Sequence, residues 1–262
     1  MIMNAEVYSI DGNKKEEVQL PHVFSSEYRP DLIRRALLSE QSEKFQPQGH
    51  SVLAGLQTTA TYVGKYSGYR RGRHMGIAIR PRQKLGGGAM GDVRRIPSSV
   101  KGKRAHPHMI EKTLVERINK KEYLKALSAA IAGCTKTEII LKNHPVEKPF
   151  PVVVEDSLEK VSKASELSSI LGKLGFAADM GLSHKPRLST GRKSQKRHFR
   201  KSVLIIVKDP AAISMAGKNI PGIDVADVNG LTAEQLAPGA MPRPTIWTKG
   251  AIHSLENALK ER

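Results

Sequence analysis

Val203-Leu204-Ile205-Ile206-Val207 is an unbroken apolar run in which four of the five residues are β-branched. Such side chains pack well on a pleated surface, and a run without polar alternation indicates a strand that is buried on both faces. Strands of this kind lie in parallel sheets that have helices on either side. The run therefore predicts the centre of an α/β fold.

Shorter patterns on both sides of this run extend the prediction. The predicted strands are 5–10 and 17–20, which form a hairpin around Asp11-Gly12, followed by 151–154, 223–228 and 245–247. Four helices are predicted. The first begins at Pro30-Asp31 and has Ile33, Ala36 and Leu37 on one face, and the second covers 109–133. The third carries Leu167, Ile170, Leu171 and Leu174 and ends at Gly175, and the last follows Thr248, its N-cap. Strands that alternate with helices form parallel βαβ units. We predict a three-layer α/β/α fold with a mostly parallel sheet and a long basic internal loop.

The net charge of +18 is concentrated in two segments. Residues 44–108 contain 13 Lys and Arg against one acid, and residues 184–201 contain 8 Lys and Arg and no acid. The remaining chain has 22 basic and 24 acidic residues, as an ordinary globular protein does. Such a surplus, with a pI of about 10.0, indicates an acidic partner, either nucleic acid or an anionic membrane surface.

Membrane-spanning and disulfide-stabilised classes do not fit the sequence. No apolar stretch approaches the ~18 residues that cross a bilayer. Residues 1–20 mix acids with apolar residues, unlike a signal peptide. The single Cys134 excludes an internal disulfide and a multi-cysteine zinc site. These features predict a cytoplasmic protein that binds a polyanion and no membrane.

Segment 44–108 has 11 of the 22 glycines and no sustained helical or alternating pattern. It cannot bury enough apolar surface by itself to offset the entropy of ordering it. A disordered linker between two domains is one interpretation. The tyrosines interleaved with arginines and lysines favour a loop that threads through RNA. We therefore predict a globular body, 1–43 with 109–262, into which 44–108 is inserted as an extended loop.

Segment 184–201 is the second basic stretch. A solvated charged face is the alternative interpretation, but such faces normally mix positive and negative residues, and this stretch has no acid. Contact with RNA is therefore favoured here as well.

The residues expected to contact RNA share two kinds of chemistry. Guanidinium and ammonium groups bind phosphates, and tyrosine rings stack on unpaired bases. The predicted phosphate-binding residues are Lys65, Arg70, Arg71, Arg73, Arg80, Arg82, Lys84, Arg94, Arg95, Lys101, Lys103, Arg104, Lys185, Arg187, Arg192, Lys193, Lys196, Arg197, Arg200 and Lys201, and the predicted stacking residues are Tyr62, Tyr66 and Tyr69.

Two motifs suggest cofactor or metal chemistry. Gly86, Gly88 and Gly91 fit G-x-G-x-x-G, but a dinucleotide site needs a hydrophobic strand before the motif and a helix after it, and the sequence predicts neither. His106 and His108 form a close pair without cysteines or carboxylates nearby, which makes a poor metal site.

Three residues of the body invite a catalytic interpretation. Glu155 and Asp156 are adjacent carboxylates, yet acids are favoured before a helical stretch without any catalysis. Cys134 is most simply a small buried apolar residue. We expect no enzymatic activity, and no spacing supports a Ser-His-Asp or Cys-His arrangement.

Several stretches resemble the universal large-subunit ribosomal protein four family, in its archaeal and eukaryotic branch. They occur in the family's order along nearly the whole chain: 49–58, 104–108, 111–112, 118–122, 219–225, 236–239, 245–248 and 251–252. The first marks the start of the family's long loop and 104–108 its end. The sequence departs from the family pattern at 74–79, which is largely apolar, and at 86–90, which has no charge.

The resemblance implies a three-layer domain on the ribosome surface and a loop that runs through large-subunit RNA to the wall of the nascent-peptide tunnel. It also implies binding to this RNA early in assembly, neighbouring ribosomal proteins and the nascent polypeptide as further partners, and no required cofactor. Arg80 and Arg82 are the expected tunnel tip.

Two rival functions remain at this point. A nucleotide-dependent enzyme with a basic lid needs a strand-glycine-helix unit and convergent titratable residues, which the sequence does not offer. A non-ribosomal RNA chaperone or regulator shares the charge distribution but not the ordered family segments.

Overall fold

A computed structural model describes residues 3–62, 76–146, 148–189 and 196–260. The chain divides into two compact units. The body consists of Met1–Lys44 and Val115–Arg262, and the basic unit is Phe45–Leu114.

The body carries a central sheet between helices. Its strands are β1 (Asn4–Tyr8), β2 (Lys14–Gln19), β5 (Val152–Val154), β6 (Arg187–Ser189), β7 (Lys196–His198), β8 (Leu204–Val207), β9 (Asp224–Asp227) and β10 (Thr245–Thr248), with β3 (Arg82–Lys84) and β4 (Met90–Val93) in the basic unit. Its helices are α1 (Pro30–Glu43), α2 (Lys120–Gly133), α3 (Thr137–Leu141), α4 (Ala164–Lys173), α5 (Ala177–Ser183), α6 (Ala211–Gly217), α7 (Ala233–Leu236) and α8 (Lys249–Lys260).

Six strands of the described chain form one sheet in the order β2-β1-β5-β10-β8-β9. The hairpin pair β1 and β2 is antiparallel, whereas each of the other neighbouring pairs is parallel. Ile206 in β8 pairs with Trp247 in β10 on one side and with Ala226 in β9 on the other. The mostly parallel sheet predicted from the 203–207 run is therefore confirmed.

Each face of the sheet is buried against its own set of helices. Leu204 and Ile206 pack with residues of α1, α2, α7 and α8, whereas Val203, Ile205 and Val207 pack with residues of α3, α4, α5 and α6. Successive residues of a strand point to opposite faces, and helices cover both faces of this sheet. All five side chains are therefore fully buried. These two cores give the predicted α/β/α layers.

Local sequence explains where several of these elements begin and end. Pro30 occupies the first turn of α1, where its missing N–H is not needed. Gly175 follows α4 with a φ of 87°, a conformation that glycine adopts without a steric penalty. Thr248 caps α8, because its hydroxyl oxygen accepts a hydrogen bond of 3.3 Å from the Ala251 N–H. These three predictions are confirmed.

The helix predicted over 109–133 begins later, at Lys120. Residues 112–119 are not helical. The backbone N–H and carbonyl of Glu116 form hydrogen bonds with two serines of α1 instead of with a helix of their own. The Ser42 hydroxyl accepts from the Glu116 N–H at 2.9 Å, and the Ser39 hydroxyl donates to the Glu116 carbonyl at 2.6 Å. The predicted start of this helix was therefore wrong.

The basic unit contains regular structure that its sequence did not predict. Strands β3 and β4 form an antiparallel pair, joined by a turn in which the Leu85 N–H donates to the Ala89 carbonyl at 3.0 Å. Gly87 has a φ of 69° in this turn, so the glycine run permits the tight reversal. The chain of this hairpin reverses at 85–89.

Candidate nucleic-acid interface

Part of the predicted interface lies outside the described residues. Lys65, Tyr66, Tyr69, Arg70, Arg71, Arg73, Arg192 and Lys193 fall there, and so do the side chains of Arg187, Lys196 and Arg197. The other predicted residues can be sorted by whether their charge is already matched within the protein.

Five cations of the basic unit are exposed and unmatched by other described residues. Arg80, Lys84, Lys101, Lys103 and Arg104 are all exposed, and none makes an ion pair or a side-chain hydrogen bond with another residue in the described ranges. Exposed cations of one sign are the groups that bind phosphate oxygens. They are therefore available to a polyanion.

Three arginines stabilise the basic unit itself. Arg94 donates from Nη1 to the Val100 carbonyl at 2.6 Å and pairs through Nη2 with Asp92 at 3.0 Å, and its side chain is only 15% exposed. Arg95 donates to the Ala60 carbonyl at 3.1 Å. Arg82, in β3, donates to the Ala78 carbonyl at 3.3 Å. These guanidinium groups satisfy loop carbonyls in a unit that has little other secondary structure.

Lys101 and Lys103 flank a glycine at which backbone segments approach closely. A Cβ atom at Gly55 would lie 2.4 Å from the Gly102 carbonyl oxygen, and one at Gly102 would lie 1.9 Å from the Ile96 carbonyl oxygen. Only glycine permits such contacts. Both lysines beside Gly102 are exposed.

The ends of the basic unit meet each other, and one predicted stacking residue is accessible. The His50 N–H donates to the His108 carbonyl at 3.0 Å. Tyr62 is 58% exposed, so its ring can stack on an unpaired base. The His108 side chain does not take part in the hydrogen bond with His50 and is exposed.

In the second basic segment, two of the predicted cations are paired with buried or half-buried acids of the body. Arg200 Nη2 lies 3.6 Å from Asp179 Oδ1, and Lys201 Nζ lies 2.7 Å from Asp224 Oδ1. Lys185 is exposed. The sequence showed these charges but not their partners.

Asp224 also binds Arg243, a buried arginine that the sequence did not single out. Arg243 Nη1 lies 2.7 Å from Asp224 Oδ2, and its Nε donates to the Gln235 carbonyl at 2.6 Å. Burial raises the pKa of Asp224, but Arg243 and Lys201 outweigh this effect and hold the pKa below its usual value. Asp224 is thus a carboxylate that matches two cations.

The motifs that suggested cofactor or metal chemistry have other roles. Gly86, Gly88 and Gly91 lie in and beside the β3–β4 turn, with no helix directly after them, which is not the context of a dinucleotide site. His106 and His108 are exposed. Among the described residues, no group of three or more His, Cys, Asp or Glu side chains could hold a metal ion.

The body residues that invited a catalytic interpretation are structural. Asp156 Oδ1 accepts from the Gly250 N–H at the start of α8 at 2.7 Å, and Glu155 pairs with Lys15 at 2.5 Å. Cys134 is buried, and burial raises the pKa of its thiol to about 12, which keeps it protonated.

In the described ranges, no helix is long and apolar enough to cross a membrane.

Comparison with known proteins gives one consistent family. The sequence model described as Ribosomal protein L4/L1 family matches residues 18–258. The large ribosomal subunit protein uL4 of Methanococcus vannielii is 39% identical, over 97% of this chain and 99% of its own length. Those of Archaeoglobus fulgidus (38%; 97% and 98%) and Methanoculleus marisnigri (40%; 97% and 99%) are similar to the same extent. The chain therefore belongs to the ribosomal protein L4/L1 family.

Proposed function

We propose that this chain is a non-enzymatic structural constituent of the large ribosomal subunit in the cytoplasm. It binds large-subunit ribosomal RNA early in assembly through the basic unit and the segment 184–201. The basic unit forms part of the polypeptide exit tunnel wall. Its partners are this RNA, neighbouring ribosomal proteins and the nascent polypeptide, and it needs no cofactor.

The observation that carries this proposal is the set of exposed, unmatched cations of the basic unit. Arg80, Lys84, Lys101, Lys103 and Arg104 have no acid to pair with among the described residues, so they are available to bind an external anion. Phosphates placed along an RNA backbone supply that anion in several positions at once. The relatives, which are named large ribosomal subunit proteins, support ribosomal RNA as the polyanion.

The tunnel assignment rests on the length and the chemistry of the basic unit. An extended chain spans at most ~3.3–3.6 Å per residue, so roughly 30 residues in each direction reach up to ~100 Å. Arg80 and Lys84 lie on either side of Arg82, before the glycine turn, and both are exposed. We place Arg80 and Arg82 at the tunnel wall, where they face RNA phosphates or the lumen.

A non-ribosomal RNA chaperone with the same basic unit is the remaining rival. It would bind many RNAs with similar affinity and would not stay with the subunit when salt weakens nonspecific contacts. Stable retention on the large subunit at high salt therefore separates the two functions.

The test adds purified protein to large subunits that lack it and measures co-sedimentation after a high-salt wash. The variant Lys101→Gln/Lys103→Gln/Arg104→Gln removes three unmatched cations of the basic unit. The control Lys142→Gln/Lys160→Gln/Lys218→Gln removes the same charge from exposed positions of the body.

We expect the wild type and the control to remain bound, and the basic-unit variant to dissociate at lower salt. If both triple variants dissociate equally, net charge rather than the basic unit determines binding. If the wild type itself is washed off, the protein is not a stable constituent of the subunit.

A further inference from the structure

Asp179 is a buried carboxylate in α5 that the RNA-contact residues do not explain. Its side chain is 0% exposed. A carboxylate that loses contact with water is stable only where hydrogen-bond donors and positive charge replace that water. The residues that supply them show what Asp179 connects.

Two of these partners lie at the end of the segment 184–201, which we call the basic hairpin because β6 and β7 pair within it. Arg200 is within the segment, and Ser202 directly follows it. The Ser202 hydroxyl donates to Asp179 Oδ2, and Arg200 Nη2 lies 3.6 Å from Oδ1. Helix α5 ends at Ser183, directly before the basic hairpin. Asp179 therefore links the two ends of the basic hairpin. Its own helix leads into the start of the hairpin, and its carboxylate contacts residues at the end.

A third partner holds the same carboxylate from another part of the body. His144, which follows α3, places Nδ1 at 3.0 Å and 3.1 Å from the two oxygens of Asp179. Because an ionised carboxylate only accepts, the Nδ1–H of His144 is the donor. Asp179 therefore has donors or cations at both oxygens, and its rotamer is fixed.

The backbone beside Asp179 is closely packed. The Ser202 N–H donates to the Gly222 carbonyl at 2.7 Å. Gly222 has a φ of 86°, and a Cβ atom there would lie 2.6 Å from Ser183 Cβ and 2.7 Å from the Arg200 carbonyl oxygen. The two ends of the basic hairpin thus meet at one tightly packed point.

We propose that Asp179 is a positioning residue for RNA binding, which acts by clamping both ends of the basic hairpin. This inference rests on the proposed function, because it assumes that the hairpin binds RNA. A clamped hairpin loses less conformational freedom when its cations meet phosphates, so the same contacts give a higher affinity. In this arrangement Arg200 matches Asp179 and serves the clamp, and the cations between the two ends are the ones proposed to bind RNA.

A double-mutant cycle on the full-length protein tests the clamp. The first variant is Asp179→Asn, which keeps the shape of the side chain but removes its charge. The second replaces 186–198 by a Gly/Ser linker of equal length, and the third combines both changes. The readout is the dissociation constant for large-subunit ribosomal RNA, measured at a temperature at which thermal unfolding shows every variant to be folded.

We expect Asp179→Asn to weaken RNA binding by roughly tenfold, which corresponds to ~1.4 kcal/mol. The linker variant should weaken it further, and the combined variant should bind as the linker variant does, since Asp179 acts only through the hairpin. Glu40→Gln is the matched control. Glu40 accepts from Tyr123 Oη at 2.6 Å and from two N–H groups at the start of α7, and it contacts neither end of the hairpin.

Three results would overturn the inference: unchanged affinity for Asp179→Asn, an equal loss for Glu40→Gln, or an equal effect of Asp179→Asn with and without the hairpin. If Asp179→Asn does not fold, Ser202→Ala in the same two backgrounds decides, because it removes one hydrogen bond and no charge. If the linker variant itself binds RNA as the wild type does, the proposed role of 184–201 in RNA binding fails, whatever Asp179 does.

Discussion

Excision of the basic unit should leave a folded body. The body already holds the two ends of the cut together, since Ser39 and Ser42 of α1 hydrogen-bond to both backbone groups of Glu116. Replacing Phe45–Leu114 by about eight Gly/Ser residues halves the length of this connection roughly three times. Each halving lowers the loop-closure free energy by ~0.6 kcal/mol, which gives a stabilisation of about 2 kcal/mol.

Thermal unfolding followed by circular dichroism measures this effect. A body of this size shifts its Tm by ~2–4 °C per kcal/mol, so the excised protein should melt cooperatively and roughly 4–8 °C above the full chain. A control that keeps Phe45–Leu114 but carries Ser39→Ala and Ser42→Ala should melt lower than the full chain. Loss of the cooperative transition on excision, or a Tm several degrees below that of the full chain, would show that the body needs the basic unit to fold.

Three further outcomes are expected. Arg243→Met should destabilise the body by about 3–5 kcal/mol in urea unfolding, because Asp224 loses its buried partner. Since the pKa of Asp224 is lowered in the folded state, this difference should be complete above about pH 4 and shrink as the pH falls through that lowered value; a pH-independent difference contradicts the assignment. Gly102→Ala should disturb the basic unit and weaken RNA binding without changing the Tm of the body, because its Cβ atom would meet the Ile96 carbonyl oxygen at 1.9 Å; unchanged RNA affinity refutes this. Deleting 75–90 should preserve incorporation into subunits but alter the passage of nascent chains, and a loss of incorporation with normal passage would make this stretch an assembly anchor.

The core of the fold could be predicted because its determinants are local. The apolar run at 203–207 needs only its own composition to indicate a doubly buried strand, and the prolines and glycines at helix ends act on their immediate neighbours. Sheet direction then follows from the alternation of strands and helices. These predictions are confirmed by β8, α1 and α4.

The start of α2 could not be predicted, because it depends on contacts between distant residues. Ser42 and Glu116 are 74 positions apart, yet their hydrogen bond removes Glu116 from the helical pattern that its neighbours suggest. The clamp around Asp179 has the same character, since His144, Asp179 and Ser202 come from separate segments. Tertiary contacts of this kind leave no local signal in the sequence.

Composition located the candidate interface but could not sort its charges. Arg94 and Lys101 have the same expected role in the sequence. In the structure Arg94 is bound to Asp92 and to the Val100 carbonyl, whereas Lys101 is exposed and unmatched by other described residues. The difference arises from the conformation of each backbone segment, which a count of charges does not contain.

The dependence of RNA affinity on salt tests the central claim most directly. Each phosphate that a cation neutralises releases counterion and contributes roughly 0.7–0.9 to the slope of log K against log salt. If about ten of the cations in 44–108 and 184–201 contact phosphate, binding of the full-length protein to large-subunit ribosomal RNA should show a slope of roughly −7 to −9. A slope shallower than about −3 would contradict the account, because the two basic segments could then not be the RNA interface.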